Sequence, residues 1–334
     1  MPSEPATVLV IGAQGVLGRM CAEALRSAGL DVIRAGRRPE DSPDFRLIDL
    51  DDPRAVAEGC VGVDLVVSTV RHPAHSAERA VAREGGTLLN VASLWAQDRE
   101  QLKADAAGAR GLVCLHAGLA PGVYSLALKE MLSEHPEADC LQIAGAHSVL
   151  QTNGRAAMVD FGYPVLTSAR RHSTRVFQFP APIGRRRCML VAGPECGFFG
   201  ELAVGRTAHL YFAALERAGQ AELIALNALG LWKRVPLAFF TLGSSWRARR
   251  TTSEPHRNIL AVIRGQERLA ARVVEGSGDY QMTAAATVVF AQALLDRRAD
   301  DPNLSGVLGA EEIFDLSELR NGFESRGIRI MPLP

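Results

Sequence analysis

Val8-Leu9-Val10-Ile11-Gly12-Ala13-Gln14-Gly15-Val16-Leu17-Gly18 decides the fold of this chain. An apolar run feeds three glycines at spacing three, the pattern of a strand that turns into a helix with its N-terminus over a dinucleotide pyrophosphate. Gly12 permits the tight turn, Gly15 lets backbone N–H groups approach the anion, and Gly18 lets the helix pack close to the strand. Gln14, Val16 and Leu17 complete the expected cofactor-binding turn, at the positive end of the helix. Both flanks agree: Thr7 to Ile11 is rich in β-branched residues and leucine, and Val16, Met20 and Ala24 repeat at helical spacing. The bland alternative is a strand–turn–helix corner that holds no ligand.

Outward from the turn, Asp31-Val32-Ile33-Arg34-Ala35 reads as a second strand, followed by Gly36-Arg37-Arg38. A carboxylate at this tip would hold a free ribose hydroxyl, whereas two guanidinium groups accept a 2′-phosphate in charge-assisted bonds. NADP(H) is therefore expected over NAD(H), and Asp31 does not alter this because it opens the strand. Further short apolar runs at Phe45 to Ile48, Asp64 to Ser68, Thr87 to Val91 and Leu112 to His116 alternate with helical segments at Pro53 to Gly59, His75 to Arg83 and Asp98 to Gly108. The expected fold class is α/β: an N-terminal Rossmann domain with a doubly wound parallel sheet, and a second, mixed α/β domain. Ligands of such sheets lie beyond the carboxyl ends of the strands. That rule selects Asp49 and Leu50 after the third strand, Ser68, Thr69 and Val70 at the end of the fourth, and Ala92, with Asn90, Val91 and Ser93, after the fifth.

A length of 334 residues predicts two domains. The expected boundaries are 1–122 for the Rossmann domain, completed by residues 280–334, and 123–279 for a substrate and dimerisation domain. Lys plus Arg equals Asp plus Glu at 37 each, which removes the global electrostatic case for nucleic acid or an anionic membrane. Six cysteines without a C-x-x-C pair and eight histidines without paired spacing predict neither a disulfide framework nor a metal site. The N-terminus lacks a basic-then-apolar signal pattern, so a cytoplasmic location is expected. Ala221 to Trp246 is the most apolar stretch, but Lys233, Arg234 and Pro236 interrupt it. It reads as buried or interface helices, or as an apolar substrate wall, without a transmembrane segment. Strand-like runs at Cys140 to Val149 and Arg175 to Phe179 and the basic clusters 170–172 and 185–187 fill the second domain. Tyr280 to Leu295 and Leu316 to Arg326 read as helices, separated by an acidic, glycine-containing turn.

Five pieces in order resemble the saccharopine dehydrogenase-like superfamily of NAD(P)-dependent oxidoreductases: the 12–18 turn, Gly36-Arg37-Arg38, His116-Ala117-Gly118-Leu119-Ala120-Pro121-Gly122, Tyr280-Gln281-Met282-Thr283-Ala284, and Gly306-Val307-Leu308-Gly309-Ala310-Glu311. The resemblance implies a homodimer acting on a small-molecule substrate, with Ala120, Pro121 and Gly122 at the entry to the second domain. It implies reduction of a C=N bond formed from an amino acid and a carbonyl compound. The alternatives are an enoyl reductase acting on a lipid or polyketide-derived substrate, to which the apolar segment around residues 232–242 is similar, and a non-catalytic NADP-binding scaffold. Residues 151–200 hold no substrate motif of that superfamily, which points to a specialised substrate. His72, His116 and Tyr124 lie at strand ends or just past the Pro-Gly turn and are the candidates to relay a proton.

Overall fold

The computed structural model describes residues 5–92, 94–147, 159, 166–193, 195, 197–231, 234–236, 238 and 255–333. The chain divides into two units, one of Met1–Leu126 with Thr283–Arg326 and the other of Ala127–Met282 with Gly327–Pro334.

The first unit is built on a seven-stranded sheet in the order β13-β6-β5-β4-β1-β2-β3. Its strands are β1 (Thr7–Ile11), β2 (Asp31–Gly36), β3 (Phe45–Leu47), β4 (Leu65–Ser68), β5 (Thr87–Asn90), β6 (Leu112–Leu115) and β13 (Gly306–Gly309), and every pairing is parallel. Every residue of β4, β5 and β6 is buried, which is why these strands are short continuous apolar runs rather than alternating ones. Helices α1 (Val16–Ser27), α2 (Pro53–Gly59), α3 (Ser76–Glu84) and α4 (Ala96–Asp105) make the crossovers. Helix α1 buries Gly18, Cys21, Ala22 and Leu25, a stripe at three- and four-residue spacing. Helix α2 starts where Asp52 accepts hydrogen bonds from the Arg54 and Ala55 amides and Pro53 takes the first position. Strand β13 corrects the sequence reading, which gives these residues to an acidic turn: Gly306–Gly309 adds a seventh strand beside β6.

The second unit carries another seven-stranded sheet, ordered β14-β12-β11-β7-β10-β9-β8. Its strands are β7 (Cys140–His147), β8 (Thr174–Gln178), β9 (Arg185–Ala192), β10 (Thr207–Ala214), β11 (Pro255–Arg264), β12 (Glu267–Ser277) and β14 (Arg329–Pro332). Only β7 and β10 run parallel; the other pairs are antiparallel, so the sheet is mixed. The hairpin of β11 and β12, which turns at Gly265 with φ +60°, has no counterpart in the sequence reading. Arg185 and Arg187 open β9 on exposed positions, and the Arg171 guanidinium donates to the Ala228 carbonyl at 2.8 Å. Residues 327–334 lie in this unit through β14, whereas the sequence reading places 280–334 wholly with the first domain.

Of the apolar stretch 221–246, Ala221 to Leu229 falls in the helix Arg217–Leu229, which ends at Gly230 with φ +67°. Residues 232–233, 237 and 239–246, with Ser93 and most of 148–165, lie outside the described residues. Among the described residues no helix is long and apolar enough to cross a membrane, and no group of three or more His, Cys, Asp or Glu could hold a metal ion.

Candidate functional site

The glycine turn has the geometry its spacing demands. Gly12 sits at φ +85°, and a β-carbon there would meet Val70 Cγ2 at 2.4 Å and Thr69 Oγ1 at 2.7 Å. A β-carbon on Gly18 would lie 2.1 Å from the Gly12 carbonyl oxygen. Gly15 differs: with φ −78° and only the Gly12 oxygen at 3.2 Å, it leaves open space over the turn. Gly15 caps α1 without a side-chain hydrogen bond, and no acidic residue stands in the first turn. The first-turn amides of Val16, Leu17 and Gly18 therefore face an anion-ready opening. The Thr69 hydroxyl donates to the Ile11 carbonyl at 2.9 Å, and the Ser68 hydroxyl to the Val70 carbonyl at 3.3 Å, so the ends of β1 and β4 hold the turn from below.

Gln14 links this turn to the tip of β2. Its amide nitrogen donates to the Arg38 carbonyl at 2.8 Å, and its amide oxygen occupies the place a β-carbon on Gly36 would need, 2.5 Å away. Arg37 and Arg38 are exposed, and among the described residues neither is held in an ion pair. Their neighbours are: Arg34 pairs with Asp44 and Glu40, and Arg26 with Asp44. Those guanidinium groups, helped by the Ser42 hydroxyl, hold the Asp44 carboxyl down to about 2. The tip of β2 thus presents two uncommitted cations.

Beyond β3, Asp49 accepts from the Asp51 amide at 3.1 Å, with Leu50 between them half-buried. Asp51 reaches His72 Nε2 at 3.1 Å, and His72 Nδ1 meets the Ser76 hydroxyl at 3.1 Å. His72 is thereby tied at both nitrogens to the rim beside Asp49. Ala92, after β5, is half-buried. Asn90 is buried and donates to Glu78, whose carboxyl is pushed up by burial.

His116 follows β6 at φ +62° with a fully buried ring. Burial, and then the charge of Arg99, hold its imidazole down at about 3, so it is neutral at physiological pH. Ala120 is half-buried, whereas Pro121 and Gly122 are buried. A β-carbon on Gly122 would meet the His116 carbonyl oxygen at 2.4 Å and the Phe290 ring at 3.0 Å. Gly118 packs in the same way against Val91 and Thr283. Tyr124 opens α5 (Tyr124–Glu134) and is 2% exposed.

The second unit assembles a group that the sequence reading missed. His147 ends β7, His256 and Asn258 stand on β11, and Asp279 begins the helix Asp279–Asp300. The His147 and His256 rings meet edge to face with centroids 4.2 Å apart, and His256 Nε2 lies 3.9 Å from Asp279 Oδ1. Burial pushes His147 down to about 3 and His256 to about 4, and raises the Asp279 carboxyl. More than a hundred residues separate His147 from its partners, and only the strand register shows that they share a face. A groove of about 880 Å³ opens on the opposite face of the sheet, lined in part by Cys140, Gln142, His209 and Tyr211. Burial raises the Cys140 thiol there, so it is not a ready nucleophile.

Residues 8–96 match the family model described as the NAD dependent epimerase/dehydratase family. No curated protein sequence matches the chain. Among solved structures, saccharopine dehydrogenase (L-Glu forming) from Saccharomyces cerevisiae is similar over 98% of this chain and 100% of its own, with a TM-score of 0.60 at 11% identity. A probable dehydrogenase from Thermotoga maritima covers 98% of each chain at a TM-score of 0.45 and 10% identity, too loose a superposition to argue from. In fold, the chain is similar to that saccharopine dehydrogenase over nearly its whole length.

Proposed function

We propose that this chain is an NADP(H)-dependent oxidoreductase that reduces a C=N bond formed between an amino acid and a carbonyl compound. The observation that carries the cofactor reading is the pair of uncommitted cations, Arg37 and Arg38, one strand away from a glycine turn with no room for side chains at Gly12 and Gly18. The fold likeness to saccharopine dehydrogenase along the whole chain supports the reaction class.

The residues divide the task of holding the cofactor. Gly12, Gly15 and Gly18 with the amides of Val16 and Leu17 receive the pyrophosphate, and Gln14 fixes the backbone that carries Arg38. Arg37 and Arg38 take the 2′-phosphate. Asp49 and Leu50 border the adenine end, and Ser68, Thr69, Val70 and Ala92 line the strand ends toward the reacting end. When bound, the reduced nicotinamide supplies hydride to the substrate carbon. His72, anchored by Asp51 and Ser76, keeps a fixed orientation at the rim, and Tyr124 stands at the start of α5. His116, buried and neutral, handles a proton only as a neutral imidazole.

Titration of the purified chain with NADPH and with NADH, read by cofactor fluorescence, tests the reading. NADPH is expected to bind at least about tenfold tighter, and the double variant Arg37→Ala, Arg38→Ala to erase that difference, because each charge-assisted contact contributes about 1.5–3 kcal/mol. Equal losses for both cofactors would take the 2′-phosphate away from the arginine pair, and no binding of either would leave the glycine turn as architecture.

A further inference from the structure

The second unit holds a chemical centre that the dinucleotide turn does not use. His147, His256, Asn258 and Asp279 come from two strands and a helix start, and they converge on one face of the sheet. Gly145 makes the space for them. A β-carbon there would stand 2.3 Å from His147 Nε2 and 2.7 Å from Asn258 Oδ1, so only glycine lets the imidazole and the amide cross the strand. Phe212 backs the His147 ring, stacked at 5.5 Å.

The Asn258 side chain hydrogen-bonds His147, but other polar atoms of this cluster are left over. His256 is 1% exposed, yet among the described residues neither of its ring nitrogens has a hydrogen-bond partner, and Asn258 Nδ2 has none either. A buried polar atom left unpaired costs about 1–3 kcal/mol, and native structures keep few of them. Three in one cluster point to an occupant. The Asp279 side chain is 38% exposed, so the cluster borders solvent on the Asp279 side. Its charge balance says what fits. Burial keeps both imidazoles neutral and raises the Asp279 carboxyl, so the cluster offers an acid and two neutral rings but no cation. The arginine on this face of β12, Arg272, is engaged by Glu134 and Glu130 of α5. An anion entering here would meet Asp279 with no cation from the cluster, whereas a cationic N–H donor meets a carboxylate and imidazole acceptors.

We propose that His147, His256, Asn258 and Asp279 form a binding site for a protonated nitrogen, the amine or iminium end of the substrate. Its assignment to the substrate rests on the reductase reading; the binding chemistry itself does not. Asp279 and the imidazole acceptors hold the N–H donor, His256 acts as a positioning residue behind Asp279, and Asn258 Nδ2 offers one donor to an oxygen of the same ligand. Held as an iminium, the substrate needs no further proton. A hydride added to its carbon would be balanced by the C=N π pair moving to the nitrogen, which would keep the proton it brought and give the neutral amine.

Histidine ring nitrogens report the site directly. In protein labelled with ¹⁵N-histidine, the eight histidines give resolvable ring signals, and His147→Gln and His256→Asn assign the two that matter. Methylammonium chloride, with sodium chloride and sodium acetate as controls, is the probe. Methylammonium is expected to move the His147 and His256 signals saturably, acetate to leave them in place, and Asp279→Asn to weaken the response about tenfold or more. Fixed signals under methylammonium, movement under acetate alone, or an unchanged response in Asp279→Asn would each overturn the site. The wild-type titration stands even if the buried His256→Asn variant fails to fold. An NADPH titration of the same samples separates the two readings. Cofactor binding with fixed histidine signals removes this site and keeps the reductase, and a histidine response without cofactor binding does the reverse.

Discussion

Gly18 and Gly15 belong to the same motif and do different work, which makes the pair a sharp test. A methyl group at residue 18 would sit 2.1 Å from the Gly12 carbonyl oxygen, backbone that cannot swing aside, so α1 must move away from the end of β1. Gly18→Ala is expected to lower unfolding stability by about 1–3 kcal/mol, the usual cost of overpacking, and to lose cofactor affinity with it. At residue 15 the backbone is extended and the nearest atom stands at 3.2 Å, an oxygen that need give only slightly. Gly15→Ala is therefore expected to leave stability within about 0.5 kcal/mol of the parent. It should still weaken NADPH by about tenfold, because its methyl enters the space kept for the pyrophosphate. Urea unfolding and fluorescence titration of both variants check the split; parallel losses in both would show that residue 15 also serves packing. These glycines were legible because the motif is local, and three residues apart is a spacing the eye can find. His147, His256 and Asp279 were not, since no spacing in the sequence brings residues on β7, β11 and a later helix together.

Elements were readable where a local rule governed them. Helix α2 follows from Asp52-Pro53, an acceptor before a residue with no amide to satisfy, and Asp52 Oδ1 takes the Arg54 amide at 2.9 Å and the Ala55 amide at 3.4 Å. Removing that acceptor leaves first-turn amides to water, so Asp52→Ala is expected to cost about 1 kcal/mol in urea unfolding, with the cofactor preference unchanged. Asp52→Asn should recover most of it, and no loss in either variant would show that packing of Val56 alone fixes the helix start. Strand β13 escaped for the opposite reason. Gly306-Val307-Leu308-Gly309 has glycine at both ends and only two apolar residues, so its strand character comes from the exposed edge of β6 that it pairs with. The hairpin of β11 and β12 was obscured by charge. Arg257, Arg272 and Glu275 interrupt the apolar alternation, and only the folded sheet shows Glu275 neutralised between Arg257 and Arg329.

Among the described residues, the histidines held furthest below their ordinary value are His116 in the first unit and His147 and His256 in the second, and burial lowers His75 and His209 as well. The pKa values of the first three fall from the ordinary 6.5 to about 3, about 3 and about 4. The groups facing them differ. Arg99 and Lys103 lower His116 beyond the effect of burial, whereas Asp279 and Asn258 partly oppose the burial of His147. The sign of the linkage follows from proton counting. Between pH 6.5 and the depressed values the unfolded chain binds protons that the native chain refuses, so the stability these burials leave in place is complete above pH 6.5 and drains away as the pH falls. Each fully titrating histidine contributes a slope of up to about 1.4 kcal/mol per pH unit. Asp279 and Glu78 run the other way, because their raised pKa values let the native chain take up protons before the unfolded one does, which partly offsets the loss at the acid end. Urea midpoints measured from pH 7.5 to 5 are expected to fall steadily below about pH 6.5. His116→Asn, which cannot titrate, should lessen the slope of the first unit and leave that of the second, while His147→Gln should do the converse, with His75 and His256 carrying what remains. A flat profile in the parent chain would mean that these rings are hydrated or charged in the native state. The neutral imidazoles that make the second-unit cluster a site for a cation would then be lost as well.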